Sequence, residues 1–316
     1  METERLQTMT SKEKGSSGQT LSRAELVGGF RTVGVKAGDV VLVHSAMRTF
    51  GHVDGGADAV VDALLEVVGA AGTLVVPTFT FAHEAKDDPI IDSVVDCSEM
   101  GRITEAARLR SDALRSLAYR HSFAAIGRRA RVITEIDPAL SAFDLRSSFG
   151  VMLGLGTQVL LLGVTYSSST SHHFAEFVCD VPYRNTLPLT RKVRQTDGSL
   201  TTQTMTDYQP QSYDGSRGPD FNYLGKMLEE RGSVGTTFIG NAAVRKFPLR
   251  DLIDLAQVEA AGDCNVFRTA DGHAGELTEL EFGTCVFSPE FPDGAGRPVR
   301  TQWCVRDLDR LRMPGG

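Results

Sequence analysis

The apolar run Val40-Val41-Leu42-Val43, closed by His44, has no polar break, as expected of a strand buried on both faces. After a glycine-bearing loop, GGADAVVDALLEVVG sets apolar residues at 57, 60, 61, 64, 65, 67 and 68, a helical period. AAGTLVVPTFTF then reads as a turn and a second apolar strand. Strand, loop, helix and strand in succession predict a βαβ-like unit and a sheet with some parallel strands covered by helices.

The same pattern returns between residues 150 and 177, where GTQVLLLGV predicts a buried strand, TYSSS a polar loop and TSHHFAEF the start of a helix. Ahead of the first strand, SRAELVGGFRTVGV predicts a short helix capped by Ser22 and ended near Gly34. Residues 1–20 lack periodicity and read as a mobile tail. After about residue 184 the texture alternates, and LPLTRKVRQTDGSLTTQTMTDYQ predicts a hairpin turning at Asp197-Gly198. Helices are expected over 220–231 and 251–261, and residues 263–316 are rich in Gly and Pro with short strand-like runs. The fold class is α/β: a mixed, partly parallel central sheet flanked by helices, with an antiparallel β excursion. Residues 21–262 would form the main domain, with 263–316 as an irregular C-terminal extension packed on it. No repeats are visible.

At 316 residues and 41% apolar content the chain can bury a large core. The net charge of −7 gives no support for nucleic acid or an anionic membrane as partner. Five cysteines without a CxxC pair indicate neither a disulfide framework nor a zinc knuckle, which favours a reducing cytoplasm. The N-terminus has no apolar leader, and no window approaches the roughly 18 apolar residues of a membrane span.

Candidate chemistry concentrates in TSHHFAE. A helix there would begin at the carboxyl end of a strand, where ligand crevices form in α/β sheets. His173 and Glu176, three residues apart, would share a helix face, and a histidine oriented by a carboxylate is a workable general base. A plain helix start capped by Thr170 is the bland alternative. Metal binding fits poorly, because position 177 is Phe and side chains at adjacent positions diverge by about 100° on a helix. Gly55 and Gly56 free the backbone at a helix entrance, where unpaired N–H groups attract phosphate. Arg115, Arg120, Arg128, Arg129 and Arg131 crowd one stretch and suit either a phosphorylated ligand or a solvated basic face. Ser122 lacks the GxSxG context of a serine nucleophile.

Together, VVLVHSAMRTFGHVDGGADAVVDALLEVVGAAGTLVVPTFTF, MGRITEAARLRSDALRSLAYRHSFAAIG and GTQVLLLGVTYSSSTSHHFAE resemble the aminoglycoside N3-acetyltransferase family, from Leu21 to about Gln257. This family does not share the common GNAT fold. The resemblance implies acetyl-CoA, or another acyl-CoA, as donor, a small-molecule amine as acceptor, and direct transfer without a covalent enzyme intermediate. It makes His173 the base, Glu176 the group that orients it or grips the acceptor, and Thr170 a support of the loop. It sets His44, Ser45, Arg48, Phe50, Gly55, Gly56 and Ser122 beside the cofactor, and His172, Asp207, Tyr208 and Phe79 beside the acceptor. No nucleic acid, membrane or metal is implied, and a homodimer stays open.

Departures from the family pattern fall on the acceptor side. Ala118-Tyr119 stand where the family has His-Pro or Asn-Pro, Ala46 where it has a second serine, and Thr206-Asp207-Tyr208-Gln209 where it has an acidic EDxD. The expected activity is therefore N-acetylation of an aminoglycoside, a related antibiotic or a biosynthetic intermediate. A thioester hydrolase or condensing sibling, and a non-catalytic ligand-binding protein, are the alternatives.

Overall fold

The computed structural model describes residues 20–86, 88–195, 197–211 and 219–268. The tail expected before Thr20 and the extension beyond Arg268 lie outside the described residues. Helix α1 (Arg23–Thr32) opens on Ser22 with a reciprocal cap: Ser22 Oγ accepts from the Glu25 N–H at 3.3 Å, and the Ser22 N–H donates to Glu25 Oε2 at 2.8 Å. Strand β1 (Val40–Ser45), helix α2 (Gly56–Val68) and strand β2 (Thr73–Pro77) form the expected unit, and β1 pairs with β2 in parallel.

Two short strands and two helices follow: β3 (Ile90–Ile91), α3 (Arg102–Arg108), β4 (Leu114–Arg115) and, after β5 (Phe123–Gly127), α4 (Ala130–Thr134). Helix α5 (Ser148–Gly154) leads into β6 (Gln158–Leu162) and α6 (Ser171–Val178). The hairpin is β7 (Arg184–Arg194) with β8 (Leu200–Pro210), turning where Asp197-Gly198 predicts. Helix α7 (Asn222–Glu230), strands β9 (Gly235–Ile239) and β10 (Ala242–Pro248) and helix α8 (Leu249–Gly262) complete the described chain.

The main sheet runs β4-β5-β2-β1-β6-β10-β9, parallel in the β2-β1-β6 centre and antiparallel on both flanks. Successive side chains of a strand point to opposite faces, and β1 shows it. Val41 and Val43 pack with Leu26, Phe30, Val60 and Leu64 of α1 and α2, whereas Val40 and Leu42 pack with Phe149, Phe174 and Phe247 on the face that α5 and α6 cover. Both faces are buried, so the strand reads as a continuous apolar run.

The hairpin belongs to a second sheet, β3-β7-β8, in which β3 pairs with β7 in parallel. Past α8, Phe267 is fully buried in the same core, and the Asp220 N–H donates to its carbonyl at 2.8 Å. Among the described residues Cys97 is disulfide-bonded, and Cys179 and Cys264 are free thiols. Among the described residues no helix is long and apolar enough to cross a membrane.

Candidate active site

The carboxyl ends of β1, β2 and β6 lie on one edge of the sheet, and the chain segments that leave them meet there with the entry to β5. The turn after β6 needs glycine: Gly163 has φ +64°, and a Cβ there would stand 1.7 Å from Thr49 Oγ1 in the loop after β1. Helix α6 starts a few residues later at Ser171. Thr170 precedes it in helical conformation and makes no side-chain capping bond, so the capping role does not apply. Its carbonyl accepts the His173 N–H at 3.0 Å.

On α6, His173 Nδ1 lies 2.5 Å from Glu176 Oε2. A carboxylate can only accept, so Nδ1 carries the proton and Nε2 is the basic nitrogen. Glu176 is 1% exposed and receives two further partners from the next segment: Arg184 Nε at 2.7 Å on the same oxygen, and Tyr183 Oη, which donates to Oε1 at 3.2 Å. A carboxylate so deeply buried stays ionised only with such partners. His173 is 23% exposed. Burial lowers its pKa, the Glu176 carboxylate pulls it back up, and Arg184 pushes it down again, so the imidazole is neutral at neutral pH.

An aromatic wall surrounds this pair. The His173 ring meets Phe221 edge-on at 4.8 Å and Phe143 at 6.3 Å. Phe143 also touches Tyr208 at 5.4 Å and His121 at 4.9 Å, and Phe79 meets His121 at 4.9 Å. Sequence reading passed over His121. Its signal was a lone ring nitrogen base immediately before a buried strand. Burial first, then the charges of Arg120, His173 and Arg184, hold its pKa well below the ordinary imidazole value. Tyr208 and Phe79 thus belong to the wall, although each is nearly covered by its neighbours.

His172, expected to face the acceptor, is instead completely buried, stacked on Phe221 at 4.9 Å and near Tyr166 and Phe247. Adjacent helix positions point in different directions, so only one of the two histidines reaches the crevice. Burial drives the His172 pKa to about 3 and that of His44, at the end of β1, to about 4, which keeps both neutral.

The residues expected beside the cofactor divide into two groups. Ser45 is half-buried and Arg48 exposed, and Gly55 and Gly56 take φ +75° and +60° at the start of α2, backbone that glycine adopts without strain. These fit a phosphate-bearing chain, since the first-turn amides of a thirteen-residue helix have no intrahelical partner. Phe50, by contrast, packs in the core with α1 and α2, and His44 is buried. Ser122 donates to the Thr78 carbonyl at 2.8 Å and accepts from Arg115 Nε at 3.2 Å, so its hydroxyl is engaged inside the protein. Arg115 itself donates to the carbonyls of Ser93, Asp96 and Thr78, which removes it from any solvated basic face. Asp207 is paired with Arg120. Among the described residues no group of three or more His, Cys, Asp or Glu could hold a metal ion.

Residues 42–259 match the model of the aminoglycoside 3-N-acetyltransferase family. Aminoglycoside N(3)-acetyltransferase IV of Salmonella sp is 29% identical over 245 residues, spanning 78% of this chain and 89% of that protein. Aminoglycoside N(3)-acetyltransferase VII of Streptomyces paromomycinus is 28% identical over 258 residues, spanning 74% and 89%. The crystal structure of the aminoglycoside acetyltransferase AAC(3)-IVa apoenzyme superimposes with a TM-score of 0.67 at 26% identity, covering 83% of this chain and 97% of that one. The chain therefore belongs to the aminoglycoside 3-N-acetyltransferase family of acyltransferases.

Proposed function

We propose that the protein transfers an acetyl group from acetyl-CoA to an amine of an aminoglycoside or a related amine acceptor, with His173 as general base. The observation that carries this reading is the 2.5 Å contact between His173 Nδ1 and Glu176, which leaves a neutral Nε2 at the crevice. The acceptor's amine lone pair attacks the thioester carbonyl, the C–N bond forms as the C–S bond breaks, and the amine's proton passes to Nε2. The thiolate leaves. Glu176 stabilises the imidazolium that results, and Arg184 and Tyr183 hold Glu176 in place.

Ser45, Arg48 and the α2 entrance at Gly55-Gly56 would hold the phosphates of the CoA chain, and Phe143, Tyr208 and His121 would line the acceptor side. Fixing thioester and amine together is worth up to roughly 7–11 kcal/mol for ideal geometry, more than the base alone supplies.

The test is release of free thiol from acetyl-CoA by the purified protein with aminoglycosides, other amines and no acceptor, for wild type and His173→Ala. Amine-dependent release that is lost in the variant is expected. Release at the wild-type rate without His173 would remove the proposed base, and release without any amine would favour a thioester hydrolase.

A further inference from the structure

Phe79 and His121 face each other across an extension of the β2–β5 ladder. The paired strands end at Pro77 and Phe123, and two further bonds carry the ladder past the carboxyl end of β2. The Thr78 N–H donates to the Ser122 carbonyl at 2.8 Å, and the Thr80 N–H to the Arg120 carbonyl at 3.2 Å. His121 therefore stands at a non-hydrogen-bonded position opposite Phe79, where facing side chains approach most closely, and the two rings meet at 4.9 Å. Side chains of a strand alternate between its faces. Ala124 and Ile126 pack in the core with α1 and α2, whereas Phe123 and Ala125 pack with Phe149 and Phe174 of α5 and α6. His121 continues the second series, which puts its imidazole on the side of the sheet that α6 covers.

Three aromatic rings flank this imidazole: Phe79, Phe81 at 6.1 Å and Phe143 at 4.9 Å, and Phe143 also touches His173. His121 is partly exposed, and among the described residues neither of its ring nitrogens has a hydrogen-bond partner. The nitrogens of His172 are sealed from solvent, but those of His121 are not. Burial first, then the charges of Arg120, His173 and Arg184, oppose its protonation, so the ring is neutral, with one N–H and one lone pair. A polar group held in an aromatic wall without an internal partner gains from one that a bound molecule supplies. A neutral ring does not repel an acceptor with several ammonium groups, and its lone pair accepts from an ammonium or a hydroxyl. A carboxylate or phosphate would instead call for an imidazolium, which this setting disfavours.

We infer that His121 is a specificity-determining residue, which hydrogen-bonds a second amine or hydroxyl group of the acceptor while His173 attends to the reacting amine. The acceptor class it selects is an amine that carries further N–H or O–H donors near the reacting nitrogen, as amino sugars and aminocyclitols do. The inference rests on the reading of the site as an acyltransferase centre acting on amines.

The experiment has two readouts, both taken without turnover. In wild type labelled with ¹⁵N-histidine, ring-nitrogen spectra are followed through a titration with gentamicin, and the His121 signals are identified by their loss in His121→Phe. The unprotonated nitrogen of His121 should move part of the way toward the protonated position, as a lone pair does on accepting a hydrogen bond. Calorimetry then measures gentamicin and acetyl-CoA binding to wild type, His121→Phe, His121→Asn and His121→Gln, with thermal melts to verify folding. His121→Phe keeps the aromatic wall and should bind gentamicin about tenfold more weakly, with acetyl-CoA unchanged. Asn places a polar atom near that of Nδ1 and Gln near that of Nε2, so at least one of them should stay within about threefold of wild type. A His121 nitrogen that does not move at saturating gentamicin would overturn the inference. So would wild-type affinity in a folded His121→Phe, a full loss in both amide variants, or no binding of gentamicin to wild type. Absence of thiol release with every amine would defeat the acyltransferase reading while leaving the result on His121 readable.

Discussion

Arg184, the first residue of β7, places its Nε 2.7 Å from the same Glu176 oxygen that holds His173 Nδ1. One carboxylate thus serves a histidine on its own helix and an arginine from the hairpin, and the carboxylate and the arginine act on the imidazole in opposite senses. Removing the carboxylate in Glu176→Gln takes away what raises the His173 pKa, so the acidic limb of the pH–rate profile should move to lower pH. Removing the positive charge in Arg184→Gln takes away a lowering influence and should move that limb up. Steady-state rates between pH 4 and 8 measure both shifts, and movement of both limbs in the same direction would contradict the assignment.

His173→Ala should lower kcat by about 10²–10⁴-fold, the usual contribution of a positioned general base. Tyr183→Phe removes only the 3.2 Å bond to Glu176 Oε1 and should cost far less, with KM for the thioester unchanged. Initial rates at saturating acetyl-CoA distinguish the two.

Stability should fall in acid before the carboxylates titrate. His44 and His172 are buried neutral, with pKa values pushed down to about 4 and about 3 from an ordinary value near 6.5. Because the unfolded chain takes up protons first as pH falls below 6.5, their contribution is complete above that pH and is lost progressively beneath it. At pH 5 each costs about 2 kcal/mol relative to pH 8. Urea unfolding at the two pH values tests this, and His172→Phe should shrink the difference by about 2 kcal/mol.

Gly225 on α7 lies against Tyr166, and an added Cβ would stand 2.0 Å from its ring. That ring is anchored, since Tyr166 Oη donates to Glu229 at 2.9 Å and Arg245 Nε donates to the same oxygen at 2.7 Å. Gly225→Ala should destabilise the fold by about 1–3 kcal/mol, as overpacking of a rigid neighbour does. A melting temperature equal to wild type would show that α7 can shift freely.

Much of the frame was legible in the sequence because it is local. The Val40–Val43 run, the helical period after Gly56, the Asp197-Gly198 turn and the i, i+3 spacing of His173 and Glu176 each need only a few neighbouring residues to be read. What stayed hidden is what only packing decides. Nothing near Glu176 announces that Arg184 crosses to it from β7, and nothing near Asp207 announces a partner 87 positions earlier at Arg120. The crowd of arginines at 115–131 looked uniform, yet Arg115 is engaged inside the fold, Arg120 spans to the hairpin, and Arg131 pairs at the surface with Glu135. His172, expected beside the acceptor, is instead stacked on Phe221, a contact that nothing in its neighbouring residues announces.

The hairpin sheet shares no strand with the sheet that carries α6. Arg184, Asp207 and Tyr208 all lie near its root, where Thr186 pairs with Tyr208 and Leu187 with Asp207. The hairpin is therefore tied to the base by side chains alone, Arg184 on Glu176 and Tyr208 against Phe143. A one-residue slip of that register would turn Arg184 away from Glu176 and disturb the base from a sheet with which it shares no strand.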